Sequence, residues 1–281
     1  MNLKSFIGVI LYFAMNMLLI WFFISPGGYT AVYELAIIYL LIISISLSPI
    51  GEWMLCLLAN AKPIPRKDMN VKIIPLLELV LARAKQEMPP MVSTIRLRFI
   101  DDPAPMAYAL GRKTICVTEG LLRMPDELII GALSHEVAHL ALKHMTTQLL
   151  FGGGNIFITG FVFLIKLSLK ILTLFSGISI FTSQSKIVSV LMTVLSAVTH
   201  LIISAWTKLS MLFLCWSKRE DEYQADKFAF DIGFGNELAT VLDKLQPPQK
   251  SSFIQVLLSS HPTAHERIGR LQQYGSSYSS Y

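Results

Sequence analysis

Charge is what this chain has least of. Asp, Glu, Lys and Arg make up 15% of its 281 residues, against about 25% in ordinary soluble domains. Mean hydropathy is +0.55. That shortfall points to a membrane protein before any residue is singled out. Cysteine is scarce as well. Cys56, Cys116 and Cys215 lie far apart, with no C-x-x-C pair among them. A disulfide framework and a thiolate metal site are both excluded, and the three thiols read as small buried apolar groups. The formal charge is a modest +5. No basic cluster is dense enough for nucleic acid, although anionic lipid would suit this balance. Internal repeats and low-complexity segments are absent. The tail "GSSYSSY" reads as disordered.

What the chain has in abundance is apolar sequence, in four runs. The first, Ser5 to Ile24, carries no charge. Its length and the lack of a small-x-small cleavage site argue against a removable signal peptide. The second, about Val32 to Leu58, is broken by Glu34, Pro49, Gly51 and Glu52. "SPGGYT" between them is a turn, so the two make a hairpin. A third run, about Leu149 to Phe175, carries Lys166 and Lys170; a fourth, Ile187 to Trp216, carries His200 and Lys208. Crossing a bilayer takes roughly 20 apolar residues, and each run supplies that. The expected organisation is therefore a transmembrane hairpin over 1–59 (spans about 5–24 and 32–58), a polar segment over 60–146, a second hairpin over 147–216 (spans about 149–175 and 187–216), and a second polar segment over 217–281. His200 within a span is either functional or packed neutrally between helices. Asn16 reads as helix–helix glue.

Residues 60–146 hold twelve Lys and Arg and the segment from Ser217 seven more, whereas the turn at 25–30 holds none and the loop at 176–186 only Lys186. The positive-inside rule places both polar segments, and both termini, in the cytoplasm.

The first polar segment reads as a small mixed α+β unit. "VKIIPLLELVLARAKQEM" has helical periodicity through Leu76, Leu77, Val80, Leu81 and Ala84. Ile95, Leu97 and Phe99 alternate as in a strand; "MAYAL" and "KTICVTEG" read as two more strands around Gly111. "RMPDELIIGALSHEVAHLALKHM" then begins a helix, with Pro125 in its first turn and Asp126 and Glu127 matching the N-terminal dipole. So short a unit needs the C-terminal segment to complete its core.

That helix carries the chemistry. His135 and His139 are four apart and project from one face, so both imidazoles can ligate one Zn2+. Glu136 can reach a water on that metal as general base. The alternative, two surface histidines, fits poorly with a helix that is otherwise apolar. A catalytic zinc takes three protein ligands and one open position. The third can come from "SKREDEYQADKFAFDIG", residues 217–233, which holds Glu220, Asp221, Glu222 and Asp226. Glu222 and Asp226 share one helical face; one could bind zinc while the other accepts a ligand histidine's free N–H.

Together, "AYALGRKTICVTEGLLR", "LSHEVAHLALKHM", "EYQAD" and "HPTAHERIGRL", with paired hairpins around them, resemble the HtpX-type membrane zinc metalloproteases, relatives of the CAAX-prenyl endopeptidases. The resemblance covers nearly the whole chain. It implies a mainly α membrane protein, with four transmembrane helices in two hairpins and a small α+β zincin-like cytoplasmic domain. It implies one Zn2+ held by His135, His139 and Glu222. Asp226 and Arg267 would brace the site, with Arg267 against both carboxylates, and His261 would stabilise the oxyanion beside the catalytic Glu136. It also implies cleavage of membrane or misfolded proteins in a bacterial inner membrane, in quality control or stress response. His265 has no counterpart and reads as surface. His144, five residues past His139, reads as facing away from the site. One departure is Met106, where the family usually has Asn. It is the one feature favouring a catalytically silent zinc-binding scaffold; Glu136 argues against that reading. Reporter fusions at both termini and within 60–146 are expected to give cytoplasmic signals, and a C-terminal signal from the opposite side of the membrane would overturn the topology.

Overall fold

The computed structural model describes residues 3–24, 28–65, 67–88, 94–178, 184–244 and 262–278. Those residues are mostly helical and carry one small mixed sheet. They divide into two compact units. One comprises 1–6, 45–149 and 215–281, the other 7–44 and 150–214.

The second unit holds α1 (Leu3–Ile24) and α2 (Tyr29–Ser46), together with the apolar stretches of α7 (His144–Ile178) and α8 (Gln184–Asp231). Tyr12, Phe151, Phe13 and Trp206 pack together there. At the centre lies a polar knot. The Tyr12 hydroxyl donates to Asn155 Oδ1 at 2.8 Å, and the fully buried Asn16 amide donates to the Tyr39 hydroxyl. Asn16 thus joins α1 to α2, as glue between helices does. A Cβ on Gly154 would fall 2.7 Å from the Tyr12 hydroxyl and 2.9 Å from that of Tyr39, so only glycine lets the two phenols approach. His200 lies exposed on α8.

Among the described residues, two helical stretches are long and apolar enough to cross a membrane: Tyr29–Ser46 and His144–Ser168. The apolar stretches Phe6–Phe22 and Thr193–Trp206 are shorter. The expected span over 32–58 is interrupted. Ser48 caps a new helix, α3 (Pro49–Leu58), by accepting the Ile50 N–H, and Pro49 takes the first turn, where its missing N–H costs nothing.

In the first unit, α4 (Lys67–Glu87) buries Ile73, Leu77, Val80 and Ala84 along one face. Three strands follow: β1 (Arg96–Ile100), β2 (Ala107–Leu110) and β3 (Thr114–Thr118). Their order is β1-β3-β2, with β1 parallel and β2 antiparallel to the central β3. The fully buried β3 is apolar throughout its middle, Ile115 to Val117. Strand β2 is a sheet edge. Thr118 closes β3 by capping α5 (Glu119–Leu122), its Oγ1 accepting the Leu121 N–H. Then comes α6 (Asp126–Ala141), preceded by Pro125 at its N-cap and opened by Asp126 and Glu127.

The anticipated joint core is present. Phe99, Ile115, Val117, Leu133, Val137 and Ala138 from the first polar segment share one cluster with Ala225, Phe228, Ile232 and Val241 from the last. Helix α8 ends in a Schellman motif. The Gly233 N–H bonds the Phe230 carbonyl and the Phe234 N–H that of Ala229, with Gly233 at φ +90. This turn sends α9 (Gly235–Lys244) back across α6. There the packing tolerates no side chain at Gly131, where a Cβ would lie 2.5 Å from the Glu237 carbonyl oxygen. The last helix is α10 (Ala264–Tyr274), capped by Thr263 and ended by Gly275 in the left-handed region.

Gly131→Ala decides between two effects. Helix propensity alone would stabilise α6 by about 1 kcal/mol, but overpacking against backbone that cannot rotate away costs about 1–3 kcal/mol. The expected outcome is a lower unfolding temperature in a thermal melt; an unchanged or raised one would mean that α9 yields freely.

Candidate metal centre

Three helices converge on one buried cluster. Helix α6 contributes His135 and His139, α8 contributes Glu222 and Asp226, and α10 contributes Arg267; none is more than 6% exposed. The helical spacing of four stacks each pair on one face of its helix. Core packing supplies the rest, since Val137 and Ala138 of α6 share a cluster with Ala225 of α8.

His135 Nε2 and His139 Nε2 are 3.1 Å apart. Glu222 places Oε2 3.3 Å from the first and Oε1 3.4 Å from the second. A tetrahedral ion with ligand bonds of 2.0–2.1 Å has ligand atoms about 3.3 Å apart. Each imidazole has one Glu222 oxygen at about that separation, Oε2 for His135 and Oε1 for His139. Of the described residues, His135, His139 and Glu222 form the group able to hold a metal. Glu220 and Asp221, also conceivable from the sequence, are not in it. Glu220 is half-buried, and Asp221 lies 3.7 Å from His144 Nε2.

The other nitrogen of His135 is occupied. Its Nδ1 lies 3.1 Å from Asp226 Oδ1, which directs the Nδ1 proton to the carboxylate and leaves Nε2 for a metal. Arg267 then binds Asp226 in a fork, through Nε at 2.8 Å and Nη2 at 2.6 Å. Its Nη1 sits 3.3 Å from Glu222 Oε2. Arg267 thus touches both carboxylates.

The field in this cluster is legible in its pKa values. Burial, the largest influence on His135, favours the neutral ring, and Arg267 adds to it; yet the Asp226 and Glu222 carboxylates outweigh both and raise His135 to about 9. Asp226 is pushed toward protonation by burial but ends below its ordinary value, because Arg267 and the His135 hydrogen bond favour the anion. Two carboxylates strong enough to hold a proton on a buried imidazole are suited to holding a divalent cation in its place.

His144 does not behave as its sequence position suggested. A continuous helix would turn it away from the site. Instead α6 stops at Ala141, Lys143 takes the left-handed conformation at φ 59, and α7 starts at His144. The kink brings His144 back under the site, buried, with Nδ1 3.0 Å from His139 Nδ1. Its Nε2 faces Gln224 Oε1 at 3.4 Å. Burial, with the nearby His139 ring, drives His144 down to about 3, so its ring is neutral and can accept the His139 proton. Among sequence signals, a non-glycine residue at a helix C-terminus gave no warning of this turn.

Glu136 is half-buried and faces the other way from the core, toward β2. Its Oε2 accepts the Ala109 N–H at 2.6 Å. In the β2–β3 register Met106 bonds Thr118, so by alternation the backbone groups of Ala107 and Ala109 point away from β3, to the edge of the sheet. Met106 itself leans on the cluster of Ile100, Tyr108 and Cys116. His261 falls outside the described residues. Pro262, beside it, is buried, and His265 is exposed as expected.

Residues 72–274 match the model of peptidase family M48. The human CAAX prenyl protease 1 homolog is 26% identical over 152 residues, which cover 52% of this chain and 30% of that protein. The Protease HtpX homolog of Bacillus pumilus (strain SAFR-032) is 28% identical over 191 residues, 59% of each. The chain thus matches less than two thirds of the length of either relative. The crystal structure of S. mikatae Ste24p superposes with a TM-score of 0.51 at 17% identity, over 96% of this chain and 66% of that one, which is a likeness of fold. With its family match running from α4 through α10 and so across every side chain of the cluster, the chain belongs to peptidase family M48.

Proposed function

We propose that this chain is a membrane-embedded zinc endopeptidase whose metal is held by His135, His139 and Glu222. The observation that carries the reading is the close buried grouping of those three side chains, with the Glu136 carboxylate next in sequence and hydrogen-bonded to the edge strand β2 at Ala109. Zinc in this position supplies Lewis acidity, polarising a carbonyl and making water a nucleophile near neutral pH. Glu136 accepts the proton of the attacking water and delivers it to the departing amine. The β2 edge at Ala107 and Ala109 pairs with an extended peptide and lays its scissile bond over the site. Asp226 and His144 hold the two ligand rings in one tautomer, and Arg267 holds both carboxylates in place. His261 would face the developing oxyanion.

Four spans in two hairpins, with the zinc domain cytoplasmic, fit the apolar runs and the Lys/Arg asymmetry. Substrates are then membrane or misfolded proteins in a bacterial inner membrane, in quality control or stress response. A catalytically silent zinc scaffold is the second reading, favoured only by Met106; a purely structural site has no use for the Glu136 carboxylate beside it.

Two predictions test this assignment. Glu136→Gln is expected to keep one zinc per chain and to lose peptide cleavage by about 100-fold or more; cleavage at the parent rate would exclude the mechanism. Zinc affinity separates ligands from their supports. Glu222→Ala is expected to lose the metal during purification, whereas Asp226→Asn and His144→Ala are expected to weaken it about 10–100-fold in chelator competition. Equal retention in all three would place the metal elsewhere.

A further inference from the structure

Helix α3 is inside out. Ile50, Trp53, Met54, Leu57 and Leu58 are exposed, while Gly51, Glu52 and Cys56 are buried. An acidic side chain turned inward on so apolar a helix costs several kcal/mol unless it is hydrogen-bonded. Glu52 is 9% exposed and is fully engaged. Its Oε1 accepts the Thr114 hydroxyl, and its Oε2 accepts the Arg112 backbone N–H at 3.1 Å. Both partners lie in or beside the turn that joins β2 to β3.

That turn is shaped around the carboxylate. Gly111 has φ +72, and a Cβ there would meet Glu52 Cγ at 2.6 Å. Glycine is required twice over, for the backbone angle and for the space. The Arg112 guanidinium reaches Leu47 O at 3.4 Å, a second tie to the same region. On the other side of the turn, Leu110 pairs with Thr114 and Ala109 with Ile115. One residue along the strand, the Ala109 N–H holds Glu136.

We propose that Glu52 is a positioning residue for the edge strand: it clamps the β2–β3 turn through Arg112 and Thr114, and so sets where Ala109 presents its N–H to Glu136 and its free edge to peptide. This rests on the peptidase reading of the site. Glu52 touches no ligand and no reacting atom. Its effect travels from Arg112 through Gly111 and Leu110 to Ala109, a path short enough to transmit a shift of the turn directly. The residue comes from the apolar part of the sequence, 84 positions before Glu136 (136 minus 52).

The test uses the full chain, zinc-loaded, in detergent. Amide hydrogen exchange is followed in Glu52→Ala, Glu52→Gln and Thr114→Val. In Glu52→Ala, exchange over 107–114 is expected to rise about tenfold, while 128–140 on α6 and the zinc stoichiometry stay as in the parent. Cleavage of an extended peptide is expected to fall about tenfold in kcat/KM, with Glu52→Gln recovering most of it, because an amide oxygen can still accept one of the two hydrogen bonds. Thr114→Val, which keeps the carboxylate, is expected to lie between. Unchanged exchange over 107–114 overturns the proposal. So does an equal rise over 128–140 with loss of zinc, which would be general destabilisation. Exchange does not depend on activity. A parent chain that cleaves nothing would therefore sink the peptidase reading, while exchange over 107–114 would still decide whether Glu52 holds the turn.

Discussion

The Asp226–Arg267 ion pair is the contact on which the rest of the centre leans. Both groups are buried, and taking two charges out of water costs several kcal/mol apiece. The cost is offset only by good geometry, and here the fork is bidentate, with contacts of 2.8 and 2.6 Å. Removing either partner would leave a bare charge in the core, a loss of about 3–5 kcal/mol. The same pair orients His135 and touches Glu222. It therefore fixes α10 against α8 and α8 against α6 in one step. Tyr223 strengthens the first of these joints, donating to Glu266 and lying under the Arg270 guanidinium at 3.5 Å.

That joint explains why two polar segments so distant in sequence make one core. Neither half has enough apolar surface by itself. Ile73, Leu77 and Val80 of α4 share one cluster with Phe228 and Ile232 and with α6, which is apolar on nearly every side. A helix buried all round has no solvent face for charge, so its polar side chains must be satisfied by neighbours. His135, His139 and Ser134 are: the first by Asp226, the second by His144, the third by the Gly131 carbonyl at 2.8 Å. Glu136 is the exception, half-exposed and held by a single strand amide.

The apolar unit obeys a different logic. Its helices expose most of their large side chains, as at Trp21, Phe22, Ile37 and Leu201, and bury hydrogen-bonding Tyr12, Asn16 and Tyr39 instead. Helix α3 repeats this inversion in the other unit, with Glu52 inward and Trp53 outward. Apolar residues outside and hydrogen-bonded polar residues inside suit a hydrocarbon surrounding, where specificity between helices must come from polar contacts and close packing.

Short-range periodicity is the part of this protein that the sequence determined by itself. Two histidines four apart must share a helix face, as must Glu222 and Asp226, and alternation marked β1 at Ile95, Leu97 and Phe99. Shared motifs then carried the family and singled out Glu222 among four neighbouring acids. The tertiary structure alone decided what depends on where the chain turns. Single residues of the backbone did this: a left-handed Lys143 that swings His144 under His139, a capping Ser48 that splits an apolar run and turns Glu52 inward, and a Schellman turn at Gly233 that lays α9 on Gly131. Periodicity assumes that an element continues. Each of these residues is a place where it stops, and the direction taken afterwards is set by packing against segments that are remote in sequence.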